Sequence, residues 1–319
     1  MEREVLVTTA NGMFGHGLVA VLLNDEHVRV RAMVRDRGKF TLQAGNLEVV
    51  VADMDDPQTL RPAVRGVSHV FLTSPMDERI AVRETNVLQA VEAEGGAHVL
   101  KLAGAVRHEG DELGTLHGAS LDYLKGSGLP WTLISPNSVM ETSLTPFRET
   151  MKFDAVMGMS GHGKVGLVAA EDVALATRAV IAGDGHEGQD YQLTGPEAVD
   201  LYQVAEAFSR VLGRTIHYYD LSEEEFAKMM LEHAGGMSAE QLEIGVLCHL
   251  RAWREGKADL VTGTYTSLTG ESPTGLGDWI GDHVDWFGAR PGVGDRMAAF
   301  FMRQKYGRHH EAGGRPAAR

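Results

Sequence analysis

The chain of 319 residues contains one cysteine, Cys248, so neither an internal disulfide nor a cysteine-based zinc site can form. No apolar run approaches the roughly 18 residues that a membrane-spanning helix needs, which excludes such a span. Basic residues are scarce: 30 Lys and Arg face 44 Asp and Glu, leaving a formal charge of -14. That sign repels a phosphate backbone, so nucleic acid is not expected as the main partner, although a local basic groove stays open. No secretory leader is expected, because Met1 runs through Glu2, Arg3 and Glu4 straight into Val5-Leu6-Val7. The start reads as a first strand and the protein as cytoplasmic. No internal repeat is present, and the length suits one large domain or a core with a smaller lobe.

What is present is a regular alternation. Apolar runs of strand length recur near 4–8, 28–34, 47–51, 68–73, 98–102 and 130–135, and segments of helical period, such as 13–24, 79–93 and 116–125, separate most of them. Strands divided by helices imply parallel pairing with crossovers, and the near-continuous apolar runs suit a sheet covered on both faces. The expected fold is α/β: a Rossmann-type doubly wound parallel sheet with a smaller α/β C-terminal substrate lobe. The core is expected over 1–136 with about 164–184, including a strand at Val165 to Val168. The lobe is expected over about 137–163 with 185–288, including a strand at Tyr191-Gln192-Leu193. Residues 289–319, rich in Gly, Arg and His, read as a disordered tail in which His309-His310 is either solvated or metal-binding.

The most informative segment is Val5-Leu6-Val7-Thr8-Thr9-Ala10-Asn11-Gly12-Met13-Phe14-Gly15, an apolar strand, a turn and an amphipathic helix. A dinucleotide fingerprint needs that context. Gly12 would admit a pyrophosphate to the backbone, Gly15 would let helix and strand approach, and the helix start supplies N–H donors. The second strand ends in Arg35 with Lys39 soon after, where NAD enzymes place an acid for the ribose hydroxyls; a guanidinium fork suits a 2′-phosphate, so NADP(H) is expected over NAD(H). Asp36 nearby competes with that assignment. After the third strand, Asp53 is positioned to accept from the adenine amino group and Met54 to cover the ring, while Asp55 or Asp56 could cap a helix begun by Pro57.

These segments, with Ser127-Gly128-Leu129-Pro130-Trp131-Thr132-Leu133, Gly185-His186-Glu187-Gly188 and Tyr191-Gln192-Leu193-Thr194-Gly195-Pro196, resemble the NmrA-like family of atypical short-chain dehydrogenases over residues 1 to about 287. That family includes NADPH-dependent quinone reductases, azoreductase-like proteins, triphenylmethane reductases and a redox-sensing regulator. The resemblance implies two lobes, a cofactor at the carboxyl edge of the sheet, the nicotinamide near Thr73-Ser74-Pro75 and Ala103, and a substrate cleft roofed by the second lobe.

The chain departs from the family at its first turn and after strand six, and from typical short-chain dehydrogenases in lacking their Tyr/Lys pair and strand-five hydroxyl. The turn reads Thr9 where the family has its first glycine, and a β-branched residue resists positive φ. Thr9 either weakens the cofactor or lends its hydroxyl to a phosphate. No Tyr-x-x-x-Lys occurs, and strand five ends in Leu102-Ala103-Gly104-Ala105 without a hydroxyl. Ser135-Pro136-Asn137 replaces the family's Arg-Pro-Gly.

Such a site suits an acceptor that delocalises the arriving charge, so that positioning carries most of the catalysis. His117 is the candidate proton donor, with a solvated or structural histidine as the alternative. Met76, Asn137, Met140 and Glu141 are candidate substrate contacts, joined by Ser138 and Thr142. Glu141 could instead serve the helix start, and Met140, Met151, Met157 and Met159 could be ordinary core. The leading reading is an NADPH-dependent reductase of a quinone or polyketide-like aromatic; the alternatives are an NADP(H)-sensing protein and a non-redox enzyme on a reused scaffold. A homodimer stays open.

Overall fold

The computed structural model describes residues 3–104, 112–233 and 238–288, with positions 292, 294, 295, 297 and 304. Apart from those five positions, the expected tail with His309 and His310 lies outside the described residues. Among the described residues, no helix is long and apolar enough to cross a membrane.

The first six apolar runs form β1 (Arg3–Val7), β2 (Val28–Val34), β3 (Leu47–Val51), β4 (His69–Leu72), β5 (His98–Leu102) and β6 (Trp131–Pro136). Between them lie α1 (Met13–Leu22), α2 (Pro57–Val64), α3 (Ile80–Ala93) and α4 (Glu112–Gly126). Helix α2 starts where the sequence predicts: Pro57 opens it and the Asp56 carboxylate accepts from the Gln58 N–H. Four-residue β4 is buried along its whole length, as a strand covered on both faces must be.

The chain divides into two compact units. The first is built on residues up to Pro136 with Ala170–Leu193 and Thr262–Pro273; the second on Asn137–Ala169, Thr194–Val261 and residues from Thr274 onward. The second unit holds β7 (Ser138–Val139), α5 (Met140–Leu144), β8 (Ala155–Gly158), β9 (Leu167–Val168) and, later, α7 (Leu201–Leu212) and β11 (His217–Asp220). In it β7 pairs with β9 and β8 with β11, both parallel. The first unit regains the chain through α6 (Ala170–Ala182) and β10 (Gln189–Leu193).

Its sheet has seven strands in the order β10-β6-β5-β4-β1-β2-β3, every pair parallel. From β1 the sheet grows one way through β2 and β3, then the chain returns to the other side of β1 for β4. That reversal makes the β1/β4 junction the topological switch point, and the crevice outside its carboxyl ends is where this class of sheet receives ligands.

Two expectations need correction. Gln189–Leu193, expected in the smaller lobe, pairs with Thr132–Pro136 and extends the large sheet. Its half-exposed, polar pattern hid the assignment, because main-chain pairing rather than apolar burial places an edge strand. Conversely, the strand ending at Val168, expected in the core, joins β7 in the second unit.

His69, at the start of β4, is 8% exposed and lies 3.3 Å from the Arg3 guanidinium, with the His98 ring 5.5 Å away. Burial, with the neighbouring His98 and Arg3, lowers its pKa from 6.5 to about 4. The unfolded chain takes up this proton below pH 6.5 while the folded chain refuses it, so the contribution is complete above pH 6.5 and is lost as pH falls toward 4. Between pH 7.5 and 4.5 the site is expected to remove about 2–3 kcal/mol of stability. Urea unfolding of the protein and of His69→Gln at both pH values checks this; equal pH slopes would refute it.

Candidate active site

The switch point begins with Thr8, fully buried at the end of β1. Its hydroxyl donates to the Thr73 carbonyl at 2.6 Å and accepts from the Thr73 N–H at 2.9 Å, tying the ends of β1 and β4 together. Thr9 follows at φ +44°, in the left-handed region that favours glycine. The chain thus keeps the glycine backbone shape without the glycine. The Thr9 hydroxyl donates to the Thr73 carbonyl at 3.3 Å.

Beyond it, Asn11, Gly12 and Met13 are exposed and Phe14 is half-buried. Gly12 occupies the N-cap of α1 and no side chain caps the first turn, so its N–H groups face outward for an anion. A Cβ on Gly15 would lie 2.5 Å from the Thr9 carbonyl oxygen and 3.0 Å from Ala10 Cα, so only glycine lets α1 approach this closely. Open donors over a backbone cradle that a side chain would fill are what a dinucleotide pyrophosphate requires.

Thr9→Gly is expected to stabilise the protein by about 0.5–1 kcal/mol, since relief of the left-handed strain exceeds one long hydrogen bond and the added flexibility of the unfolded chain. Urea unfolding measures it, and a loss of stability would show that the Thr9–Thr73 bond dominates.

At the end of β2, Arg35 and Lys39 are exposed. Asp36, the competing acid, is occupied: its carboxylate accepts from the Gly38 N–H at 2.9 Å and caps the turn Arg37–Lys39. After β3, half-buried Asp53 accepts from the Asp55 N–H at 2.9 Å. Met54, expected to cover an adenine, is instead 4% exposed inside the apolar core with Leu6, Leu60 and Val87, which leaves almost no surface for a ring. Asp55 binds Arg79 and Arg83 at 2.8 and 2.9 Å.

At the carboxyl ends of β4 and β5, Thr73 is buried, Ser74 and Pro75 are half-buried, and Met76 is 60% exposed. Ala103 is buried and donates its N–H to Ile134. Beneath them lies a polar cluster of which the sequence reading named only His117. The Lys101 ammonium meets the Glu84 carboxylate at 2.6 Å, with both side chains at 0% exposure. Ser120 donates to the same Glu84 oxygen at 2.6 Å, and Ser74 donates to the other at 3.2 Å. Lys101 also reaches His117 Nδ1 at 3.2 Å. Burial alone would raise the Glu84 pKa, but the Lys101 ammonium beside it outweighs burial and holds the carboxyl at about 2. Two signals were present in the sequence: a lysine inside the run Val99-Leu100-Lys101-Leu102, and a glutamate on the same α3 stripe as buried Ile80, Val87, Leu88 and Val91.

Residues 9–183, more than half of the chain, match the family described as NAD(P)H-binding. The chain belongs to that NAD(P)H-binding family. It is 29% identical over 291 residues to a (4-alkanoyl-5-oxo-2,5-dihydrofuran-3-yl)methyl phosphate reductase of Streptomyces griseus, covering 89% of this chain and 99% of the relative. It is 28% identical to an NAD(P)H azoreductase of Xenophilus azovorans over 71% of this chain and 80% of the relative. Among solved structures it resembles the NADPH complex of a quinone oxidoreductase from Escherichia coli, with a TM-score of 0.81, 25% identity, and 88% and 99% of the two chains covered.

The substrate candidates of this NAD(P)H-binding protein in its second unit fare differently. Asn137 Nδ2 donates to the Ala258 carbonyl at 2.9 Å, while its buried Oδ1 has no hydrogen-bond partner among the described residues. Glu141 sits in the first turn of α5 and accepts from the Trp279 indole at 3.0 Å. Met140, at 1% exposure, is core rather than pocket lining, as are Met151, Met157 and Met159.

Proposed function

We propose that this protein is an NADPH-dependent reductase that delivers hydride to a flat conjugated acceptor, a quinone or polyketide-like aromatic. The observation that carries the reading is the β1–α1 turn, which keeps the glycine-type backbone at Thr9 and an uncapped helix start at the switch point. Backbone N–H groups of Met13, Phe14 and Gly15 would hold the pyrophosphate, with Asn11 and Gly12 at the rim. Arg35 and Lys39 would take the 2′-phosphate, an assignment favoured by the engagement of Asp36 in its own turn. Asp53 would accept from the adenine amino group, and Thr73, Ser74, Pro75 and Ala103 would border the nicotinamide. When bound, the cofactor supplies the hydride; the chain's residues supply position and, through His117, a hydrogen-bond donor. The E. coli and Xenophilus relatives, named for quinone and azo reduction, support this acceptor class.

A second acceptor is an unsaturated lactone, favoured by the Streptomyces relative, which is covered almost end to end. Both are electron-poor conjugated systems, so the same site serves either.

The test is calorimetric titration of nucleotide-free protein with NADPH and NADH, followed by hydride transfer to menadione and to a butenolide. Tighter NADPH binding with turnover of either acceptor is the expected result. Tight binding without turnover would favour a sensor, and no binding of either nucleotide a reused scaffold.

A further inference from the structure

Glu84, Lys101 and His117 form a unit whose arrangement exceeds what stability requires. A buried lysine and glutamate that merely neutralised each other could do so anywhere in the core. Here they lie at the carboxyl ends of β4 and β5, bonded to Ser74 of the loop after β4, and the lysine points a second donor at an imidazole. His117 Nδ1 faces two groups, the Lys101 ammonium at 3.2 Å and, further off, the Glu84 carboxylate at 3.5 Å; the nearer ammonium has donors only, so Nδ1 accepts from it and the ring proton is assigned to Nε2. Nε2 has no hydrogen-bond partner among the described residues, and 14% of the His117 side chain reaches the surface. Ser120, one turn along α4, binds both the Glu84 carboxylate and the His117 carbonyl, locking helix and ion pair together.

We propose that Glu84 and Lys101 are positioning residues that hold His117 as the Nε2–H tautomer, making its outer nitrogen a hydrogen-bond donor to the oxygen of the acceptor. The proposal rests on the reductase reading above. As hydride adds to a carbonyl-conjugated acceptor, the displaced electron pair collects on oxygen; the Nε2–H bonds to that oxygen, and water supplies the proton that completes the hydroquinone or enol. His117 itself loses no proton, so no imidazolate forms. Lys101 acts through the ring, drawing density toward Nδ1 and strengthening the Nε2–H as a donor just where negative charge develops. This device takes the place of the missing Tyr-x-x-x-Lys.

The first readout needs no turnover. Long-range proton–nitrogen NMR of histidine-labelled protein, with His117 assigned as the signal lost in His117→Gln, is expected to show the Nε2–H tautomer in the wild type. A mixture of tautomers is expected in Glu84→Gln/Lys101→Met. The second readout compares menadione with a triarylmethyl cation, whose hydride adduct carries no oxyanion. The double variant is expected to lose about 10- to 100-fold more kcat on menadione than on the cation, with the KM for NADPH little changed. Lys101→Arg, which keeps a donor, should recover part of the loss, and Glu84→Gln/Lys101→Gln provides a second neutral pair if the first variant folds poorly. An Nδ1–H tautomer in the wild type, or equal losses on both acceptors, would overturn the proposal. A wild type that binds NADPH but reduces neither acceptor would defeat the reductase reading, and the tautomer measurement would still decide whether the pair orients the ring.

Discussion

Lys101→Met is expected to destabilise the protein by about 3–5 kcal/mol, the range for removing one partner of a buried ion pair. The loss arises less from the missing attraction than from what remains: Glu84 at 0% exposure, deprived of the nearest charge that holds its pKa at about 2. Its carboxylate must then be desolvated without a cation or take up a proton, and either outcome costs free energy. Pairing the change with Glu84→Leu should recover most of the loss, because two apolar side chains of similar volume demand no solvation. Urea unfolding of the single and double variants measures both values. A single-variant loss below about 1 kcal/mol would mean that the pair is solvated, since exposed ion pairs contribute that little.

Arg35→Ala is expected to weaken NADPH binding about 30- to 150-fold, the equivalent of roughly 2–3 kcal/mol for a charge-assisted bond to the 2′-phosphate. NADH, which lacks that phosphate, should change less than about threefold by the same argument. The contrast is clean in this chain because Asp36, the one acid positioned to favour a ribose diol, is bound to Gly38 N–H in its own turn. Lys39 is exposed beside it and supplies long-range attraction, so Lys39→Ala should affect NADPH more weakly than Arg35→Ala. Calorimetric titration of each variant with both nucleotides separates these effects. Equal weakening of NADPH and NADH by Arg35→Ala would sink the NADP(H) assignment.

The fold was legible because its information is local. Val5-Leu6-Val7, Val67 to Leu72 and Val99-Leu100 are short apolar runs, and the stretches between them carry a helical period, so a parallel sheet with crossovers follows from the alternation alone. The turn from Thr8 to Gly15 was legible for the same reason: a glycine that must approach a strand is visible as a glycine. The cap at Asp56 and Pro57 is equally local, involving donors two residues away.

Other features were illegible because they depend on what lies opposite. Met54 looked available for a ring, yet its side chain fills the core beside α2 and α3. Glu141 is held by Trp279, 138 residues later. Tyr191-Gln192-Leu193 was readable as a strand, but its polar, half-exposed pattern could not say that its partner is the open edge of β6 rather than a strand of the smaller lobe.

By itself, then, the sequence determined the doubly wound class, the glycine-bearing turn after β1 and the positive charge of Arg35 and Lys39 after β2, since period, glycine position and charge are properties of consecutive residues. Only the tertiary structure decided that Thr9 takes up a glycine-type backbone against Thr73, that Asp36 is occupied, and that Glu84 on a helix and Lys101 on a strand close around His117. Those outcomes depend on distances between segments, and a buried charge reveals its purpose only when the group that neutralises or receives it is in place.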